Sequence, residues 1–165
     1  MTETDEARVG IVVGSRSDIA AAQRAAAVLD DLGVASEIRV ISAHRAPELL
    51  SRFVATAEGQ GVRVFIAIAG LAAHLPGVLA SQTTAPVIGV PMPGGISDGL
   101  DALLAIVQMP KGVPVATVGV GNGENAALLA AEILAIGNPG LRARLEERRS
   151  AQAEAIAADP ANEGL

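Results

Sequence analysis

The sequence predicts an α/β fold in which helices cover both faces of a parallel sheet, giving three layers. Three observations predict it. Apolar runs of strand length alternate with longer stretches whose apolar residues recur at helical spacing. The strand-length runs are continuously apolar, as expected of strands buried on both faces. Glycine, proline and small polar residues cluster between the two kinds of segment, where the chain must turn.

Taken in order, Arg8 to Gly14 reads as the first strand. Ile19 to Leu32 reads as a helix, with Ala25, Val28, Leu29 and Leu32 at helical spacing and Gly33 as its stop. Glu37 to Ile41 is the second strand. Pro47 to Glu58 is the second helix, with Leu49, Leu50, Phe53, Val54 and Ala57 on one stripe and Pro47 suited to its first turn. Val62 to Ala69 is the third strand, and Leu75 to Ser81 a short helix with Pro76 near its start. Pro86 to Val90 is the fourth strand, Leu100 to Val107 a helix, and Val113 to Val118 the fifth strand. Glu124 to Ile136 is a helix apolar nearly all round, so it is expected to be buried. Pro139 opens a charged last helix at the C-terminal end.

Five strands in this alternation suggest a flavodoxin-like (Rossmann-like) order, 2-1-3-4-5. Ligands in such sheets bind beyond the carboxyl ends of the strands, near the reversal of order. At 165 residues the chain reads as one domain, residues 1–165, with a short polar segment at 1–7 and a tail over 159–165 expected to fray.

Composition narrows the function. Half the residues are hydrophobic and the mean hydropathy is +0.43, but no run reaches the ~20 apolar residues of a membrane span. The acidic start, Met1 to Glu6, has the wrong sign for a secretory or mitochondrial leader, so a cytoplasmic protein is expected. No cysteine is present, which removes disulfides, thiolate nucleophiles and cysteine-based metal sites. Aromatic residues are 1% of the chain, with no Trp or Tyr to stack on a flavin or nucleobase. A net charge of -6 without a basic run argues against nucleic acid. High apolar content without membrane spans suggests faces buried against copies of the same chain.

Three loops could carry chemistry, each after a predicted strand. Gly14-Ser15-Arg16-Ser17-Asp18 combines a glycine, hydroxyls and a helix start, which suits an anion. Ser17 or Asp18 could equally serve as a helix cap, and the loop matches no nucleotide-binding motif. Ser42-Ala43-His44-Arg45 holds one of the chain's two histidines. An imidazole can take and return one proton near neutral pH, and the neighbouring guanidinium suits a phosphate or carboxylate. A lone loop histidine is more often a surface residue, but here the loops before and after it are also small and polar. Gly70-Leu71-Ala72-Ala73-His74-Leu75-Pro76-Gly77 would let backbone approach a substrate, or His74 could merely pack at the turn.

The segments 91–98, 108–112 and 119–125 read as turns, with 91–98 a lip and Ser97 and Asn122 as caps. The chain has no H-x-x-H or H-E-x-x-H spacing and no G-x-S-x-G elbow, so neither a metal site nor a serine-hydrolase reading is supported.

Taken together, these landmarks resemble the PurE family of purine biosynthesis from about Val9 to beyond Ile136. The carrying motifs are Gly14-Ser15-Arg16-Ser17-Asp18, Ser42-Ala43-His44-Arg45, Ala72-Ala73-His74-Leu75-Pro76-Gly77, Gly99-Leu100-Asp101, Ile106-Val107-Gln108-Met109-Pro110 and Asn125 to Ala131. Arg45 directly after His44, the Ala-Ala-His-Leu-Pro-Gly loop and Ile-Val-Gln-Met-Pro are similar to class I. That class rearranges N5-carboxyaminoimidazole ribonucleotide (N5-CAIR) to 4-carboxy-5-aminoimidazole ribonucleotide (CAIR).

The resemblance implies that His44 is the acid/base and that Ser15, Asp18, Ser42 and Arg45 hold the ribose phosphate end. It implies that Gly70, Ala72, Ala73, His74 and Leu75 line the part of the pocket around the imidazole and the migrating carboxyl group. It also implies no cofactor or metal, and a homo-octamer with sites at subunit interfaces. Leu71 stands where the family commonly has glycine, and the 93–98 and 121–124 segments are variants. Two alternatives remain at this stage: direct carboxylation of aminoimidazole ribonucleotide (AIR), and a non-catalytic flavodoxin-like ligand-binding domain.

Overall fold

The computed structural model describes residues 8–164; the polar segment at 1–7 lies outside the described residues. Five parallel strands form one sheet in the order β2-β1-β3-β4-β5, which is the expected order. The strands are β1 (Arg8–Val13), β2 (Ser36–Val40), β3 (Val62–Ala69), β4 (Val87–Pro91) and β5 (Ala116–Thr117). The helices are α1 (Ile19–Asp31), α2 (Pro47–Gly59), α3 (Leu75–Ala80), α4 (Leu100–Val107), α5 (Gly123–Ala135) and α6 (Pro139–Ala157).

The sheet divides the core in two. Val9, Ile11 and Val13 of β1 and Val64, Ile66 and Ile68 of β3 face the layer of α1, α5 and α6. Val12, Phe65, Ala67 and Ala69 face the layer of α2, α3 and α4. Burial on both faces explains why the strands read as continuous apolar runs.

The register between β1 and β3 shifts after Arg8, so Val62 and Phe65 both reach the α2 face. Phe65 is fully buried there against β1. A Cβ on Gly10 would lie 2.8 Å from its ring, so the glycine inside β1 makes room for one of the chain's two phenylalanines.

Alanines line the α1 and α5 surfaces. Ala21, Ala22 and Ala25 of α1 and Ala126, Ala127, Ala130 and Ala131 of α5 are buried in one cluster, and Arg24 pairs with Glu124 at 2.9 Å beside it. Small side chains let the two helices pack closely over the sheet. Helix α6 is anchored by Leu141 and Leu145, by the Asn138 cap on Leu141 N–H at 3.0 Å, and by Arg144. The Arg144 Nε–H donates to the carbonyl of Leu32 at 2.8 Å, satisfying an orphan group at the end of α1.

Three sequence expectations need correction. The fifth strand contracts from Val113–Val118 to Ala116–Thr117, because Val113 N–H turns back to Pro110 O at 3.2 Å and Pro114 has no N–H for a ladder. Leu49 is 43% exposed: the buried stripe of α2 runs through Leu50, Phe53, Val54 and Ala57, and Leu49 lies about 100° round from Leu50. Ser97 does not cap α4, since its own backbone is left-handed (φ 51°) and Gly99 occupies the cap position. Past α6 the chain makes a short 3-10 turn, Pro160–Asn162, capped by Asp159. Among the described residues no helix is long and apolar enough to cross a membrane.

Candidate active site

A cavity of about 630 Å³ opens at the carboxyl ends of the strands, where the order reverses between β1 and β3. Parallel strands deliver all their outgoing loops to this one edge. The segments after β1 and β2 supply Gly14, Ser15, Ser17 and Asp18, and Ser42 to Arg45; the end of β3 and the loop after it supply Ala69 to Ala72 and Leu75, and the loop after β4 supplies Met92 and Pro93.

Of the residues singled out in the sequence, Ser15, Asp18, Ser42, His44, Arg45, Gly70, Ala72 and Leu75 all line this cavity. His74 stands beside the lining and touches His44. Ala73 is not brought to the cavity surface. Its N–H folds back to the Leu71 carbonyl at 2.9 Å, and the residue is 1% exposed in the core. Gly14, Ser17, Ala43, Ala69, Leu71, Met92 and Pro93 complete the wall and are not among the residues the sequence singles out for the site.

The first loop makes a 3-10 turn over Arg16–Asp18. Ser15 Oγ accepts from Ser17 N–H at 3.4 Å, and the Ser17 hydroxyl lies 3.0 Å from Ser15 Oγ and 3.2 Å from Asp18 Oδ1. Ser15 is therefore the capping residue, and Asp18 makes no side-chain cap, although it precedes α1. Burial pushes the Asp18 carboxyl above its ordinary value, partly opposed by the hydrogen bond from Ser17.

The second loop is a turn closed by Ala46 N–H to Ser42 O at 2.9 Å. Ser42 Oγ accepts from both the backbone N–H and the Nε–H of Arg45, at 3.3 and 3.2 Å. That pins the guanidinium at the cavity and leaves its terminal nitrogens for an anion.

His44 comes off the same turn. Its Nε2 lies 2.7 Å from Nδ1 of His74, with the rings nearly perpendicular at 85°. His74 is held by the third loop, where its N–H donates to Ala72 O at 2.8 Å and its carbonyl accepts from Val78 N–H at 2.9 Å.

Small and apolar residues form the wall between these polar groups: Ala69, Gly70, Ala72, Leu75 and Met92. Leu71 is 62% exposed and adopts a left-handed backbone (φ 55°), a conformation that costs a branched residue energy and that glycine adopts freely. That is the physical reason a glycine would suit this position. The lip beyond β4 is held in an unusual shape, with Gly94, Gly95, Ser97, Asp98 and Gly99 all at positive φ. Asp98 accepts from Gly94 N–H at 3.0 Å and Asp101 from Ile96 N–H at 3.1 Å. A Cβ on Gly95 would collide with the Asp101 carboxylate and approach the Leu71 side chain.

The arrangement can bind an anion at Arg45, accept hydroxyl groups at Asp18, and transfer protons at an imidazole facing small apolar walls. The loop after β5 packs away from it: Asn122 caps α5 by accepting from Asn125 N–H at 2.9 Å, and Gly121 N–H donates to Pro91 O at 2.7 Å. Among the described residues no group of three or more His, Cys, Asp or Glu side chains is arranged to hold a metal ion.

A family model described as AIR carboxylase matches residues 8–155. The N5-carboxyaminoimidazole ribonucleotide mutase of Pyrococcus abyssi is 53% identical over 149 residues, covering 90% of this chain and 86% of that relative. The protein of the same name from Mycobacterium tuberculosis (strain H37Rv) is 51% identical over 154 residues, covering 93% and 88%. Among solved structures, Treponema denticola PurE matches with a TM-score of 0.87 at 28% identity, covering 95% of this chain and 98% of that one.

Proposed function

The chain belongs to the AIR carboxylase family, and from that membership we propose that it is a mutase of purine biosynthesis that converts N5-CAIR to CAIR. The observation that carries this reading is the shared cavity: His44, the Ser42-held Arg45 and the small apolar wall of Gly70, Ala72 and Leu75 face one space.

His44 gives a proton to the exocyclic nitrogen as its bond to the carboxyl carbon breaks, releasing carbon dioxide. The small apolar wall keeps the carbon dioxide beside the ring, an effective-concentration advantage over a molecule arriving from solvent. The ring carbon attacks it, and His44, now neutral, removes the proton left on that carbon. One proton is given and one regained, so the cycle closes. Arg45 and Ser42 hold the phosphate, Ser15 and Asp18 the rest of the ribose phosphate end. A carboxylate that only accepts hydrogen bonds suits the sugar hydroxyls better than the phosphate. Gly70, Ala72, Ala73, His74 and Leu75 form or support the carboxyl end.

The working unit is a homo-octamer with sites at subunit boundaries. What supports an assembly is the apolar stripe Leu100, Leu104 and Val107 along α4, each close to half exposed in the single chain. The setting is the cytoplasm, where charged nucleotide intermediates are made and consumed.

The test is turnover by purified protein. Formation of CAIR from N5-CAIR at low bicarbonate supports the mutase. Turnover only of AIR at high bicarbonate would replace it with direct carboxylation, and no turnover of either would leave a binding domain.

A further inference from the structure

We propose that Leu71 is a positioning residue for the lip at 93–99. Its side chain seats in the notch at Gly95 and holds the lip at the mouth of the cavity, so that carbon dioxide released inside is recaptured before it exchanges with solvent. The consequence for carbon dioxide rests on the mutase reading; the contact between the two loops does not.

Leu71 carries two costs without a return in the core. Its backbone is left-handed (φ 55°), which is unfavourable for any residue with a Cβ, and its apolar side chain leaves the residue 62% exposed. It belongs to neither buried cluster. The turn it starts is closed by Ala73 N–H to Leu71 O at 2.9 Å, which uses only backbone, and glycine would form that turn without strain. Strain kept at a cavity wall points to a use for the side chain at that wall.

The side chain meets the lip. A Cβ on Gly95 would lie 2.7 Å from Leu71 Cδ2 and would overlap the Asp101 carboxylate. Only a residue without a side chain lets the lip settle this closely between the two. Leucine opposite glycine is thus a knob facing a notch.

The lip itself is a stiff piece on a narrow base. Asp98 Oδ1 accepts from Gly94 N–H at 3.0 Å and Asp101 Oδ2 from Ile96 N–H at 3.1 Å. Its two ends meet, since a Cβ on Gly99 would lie 3.0 Å from Met92 O and 3.3 Å from Pro93 Cα. The base is tied to β3 by Met92 N–H to Ala69 O at 2.9 Å. A piece bonded within itself and joined along one base can tilt. The contact at Leu71 is a second point of attachment that opposes the tilt.

What this contact governs is a competition. Breaking the bond between nitrogen and carboxyl carbon leaves AIR, its exocyclic amine completed by the proton from His44, beside free carbon dioxide. Recapture forms the bond to the ring carbon and returns that carbon's proton to His44. If a solvent carbon dioxide first takes the place of the trapped one, the same bonds form, but the new carboxyl carbon comes from solution. A lip held shut favours the original molecule.

The test uses the full chain, unsubstituted and as Leu71→Ala, Leu71→Gly and Leu71→Met. Alanine removes the knob and keeps the backbone strain; glycine removes both; methionine restores an unbranched apolar reach. Amide hydrogen exchange is read at Gly94 and Ile96, and N5-CAIR labelled with 13C in its carboxyl is turned over in unlabelled bicarbonate. Exchange at the two amides should rise about five- to tenfold in the alanine and glycine variants, the factor that one or two covered methyl groups are worth, and the unlabelled fraction of CAIR should rise by a similar factor. Leu71→Met should return both toward the parent values. Unchanged lip exchange in the alanine and glycine variants overturns the proposal. So does faster exchange with the label fully retained, or a label loss in Leu71→Ala that Leu71→Gly does not share, which would trace the effect to backbone strain. A smaller particle by light scattering in Leu71→Ala would also overturn it, by assigning the side chain to a subunit contact. Should Leu71→Ala fail to fold, Leu71→Gly and Leu71→Met carry the comparison. If the unsubstituted protein makes no CAIR, the mutase reading falls, and the lip amides still decide whether Leu71 holds the lip.

Discussion

Arg45 donates twice to one oxygen three residues back, Ser42 Oγ, at 3.3 Å from its backbone and 3.2 Å from its side chain. The serine thus sets where the guanidinium stands. Charge-assisted hydrogen bonds contribute about 1.5–3 kcal/mol, so Arg45→Ala should weaken substrate binding by roughly 10- to 100-fold. Ser42→Ala keeps the charge and loses its placement, so it should cost less than about tenfold and appear mainly in KM. Calorimetric titration with the phosphorylated product measures both. Unchanged affinity in Arg45→Ala would remove that residue from the phosphate site.

Replacing His44 by Asn keeps a polar group but removes the titratable nitrogen. A positioned acid/base contributes about 10²–10⁴-fold, and kcat should drop by that much while product binding holds within a few-fold. Turnover near the unsubstituted rate would end the acid/base assignment. Equilibrium binding measured alongside keeps a folding defect from imitating a catalytic one.

Asp18 yields a pH prediction of definite sign. Burial raises its carboxyl above the ordinary value, so the folded chain holds that proton more tightly than the unfolded chain does. The resulting stability is complete below the unfolded value and is lost as pH rises through the raised folded one. At pH 7 the folded protein therefore carries the penalty of a partly buried charge. Asp18→Asn should melt at a higher temperature than the parent at neutral pH, and the gap should narrow as pH falls through the carboxylate range. A gap that is constant with pH, or reversed at neutrality, contradicts the sign. The same substitution should weaken substrate binding if the ribose hydroxyls bind there.

Gly10→Ala places a methyl 2.8 Å from the Phe65 ring and 3.3 Å from Val62. Overpacking of this kind costs about 1–3 kcal/mol. Denaturant unfolding should show that loss, and Phe65→Leu in the same chain should return part of it, because the two substitutions share one space. Strict additivity would mean the ring is not what excludes the methyl.

The α4 stripe tests the assembly. Leu104→Asp puts a charge at the centre of the exposed row of Leu100, Leu104 and Val107. Light scattering should show a smaller particle than the parent with helical content retained. An unchanged octamer would move the interface elsewhere, and a parent that is monomeric would end the octamer reading.

Much of this was legible because periodicity and turn chemistry speak directly about strands, helices and the loops between them. Val9 to Val13 and Val64 to Ile68 read as doubly buried strands and are so. Once the sheet is parallel, Ser15, Ser42, His44 and Gly70 must emerge on one edge, whatever their distance in sequence. What escaped depends on side-chain direction and non-local contact. Nothing in the spacing of His44 and His74 says that Nε2 of one meets Nδ1 of the other. Ala72 and Ala73 are identical in type, yet a turn bonded through Leu71 exposes the first and buries the second. Leu71, Ser97 and Asp98 take left-handed conformations that their residue types do not announce. The fifth strand was overextended because its apolar run continues through Pro114, and hydropathy does not register a missing N–H.

The close seating of α1 on α5 has a consequence for how the protein is made. The cavity lining comes entirely from residues up to Pro93, but the cover for α1 comes later, as Arg24 meeting Glu124 a hundred positions on makes plain. A chain emerging from the ribosome presents the binding loops well before the alanine surface behind them can be sealed. Contacts this distant are slow to close, and the intermediate that waits for them carries an open apolar face. Aggregation during synthesis should therefore be governed by the timing of α5, so that substitutions far from the cavity, such as a bulky residue at Ala126 or Ala130, lower the yield of protein without touching any group that meets the substrate.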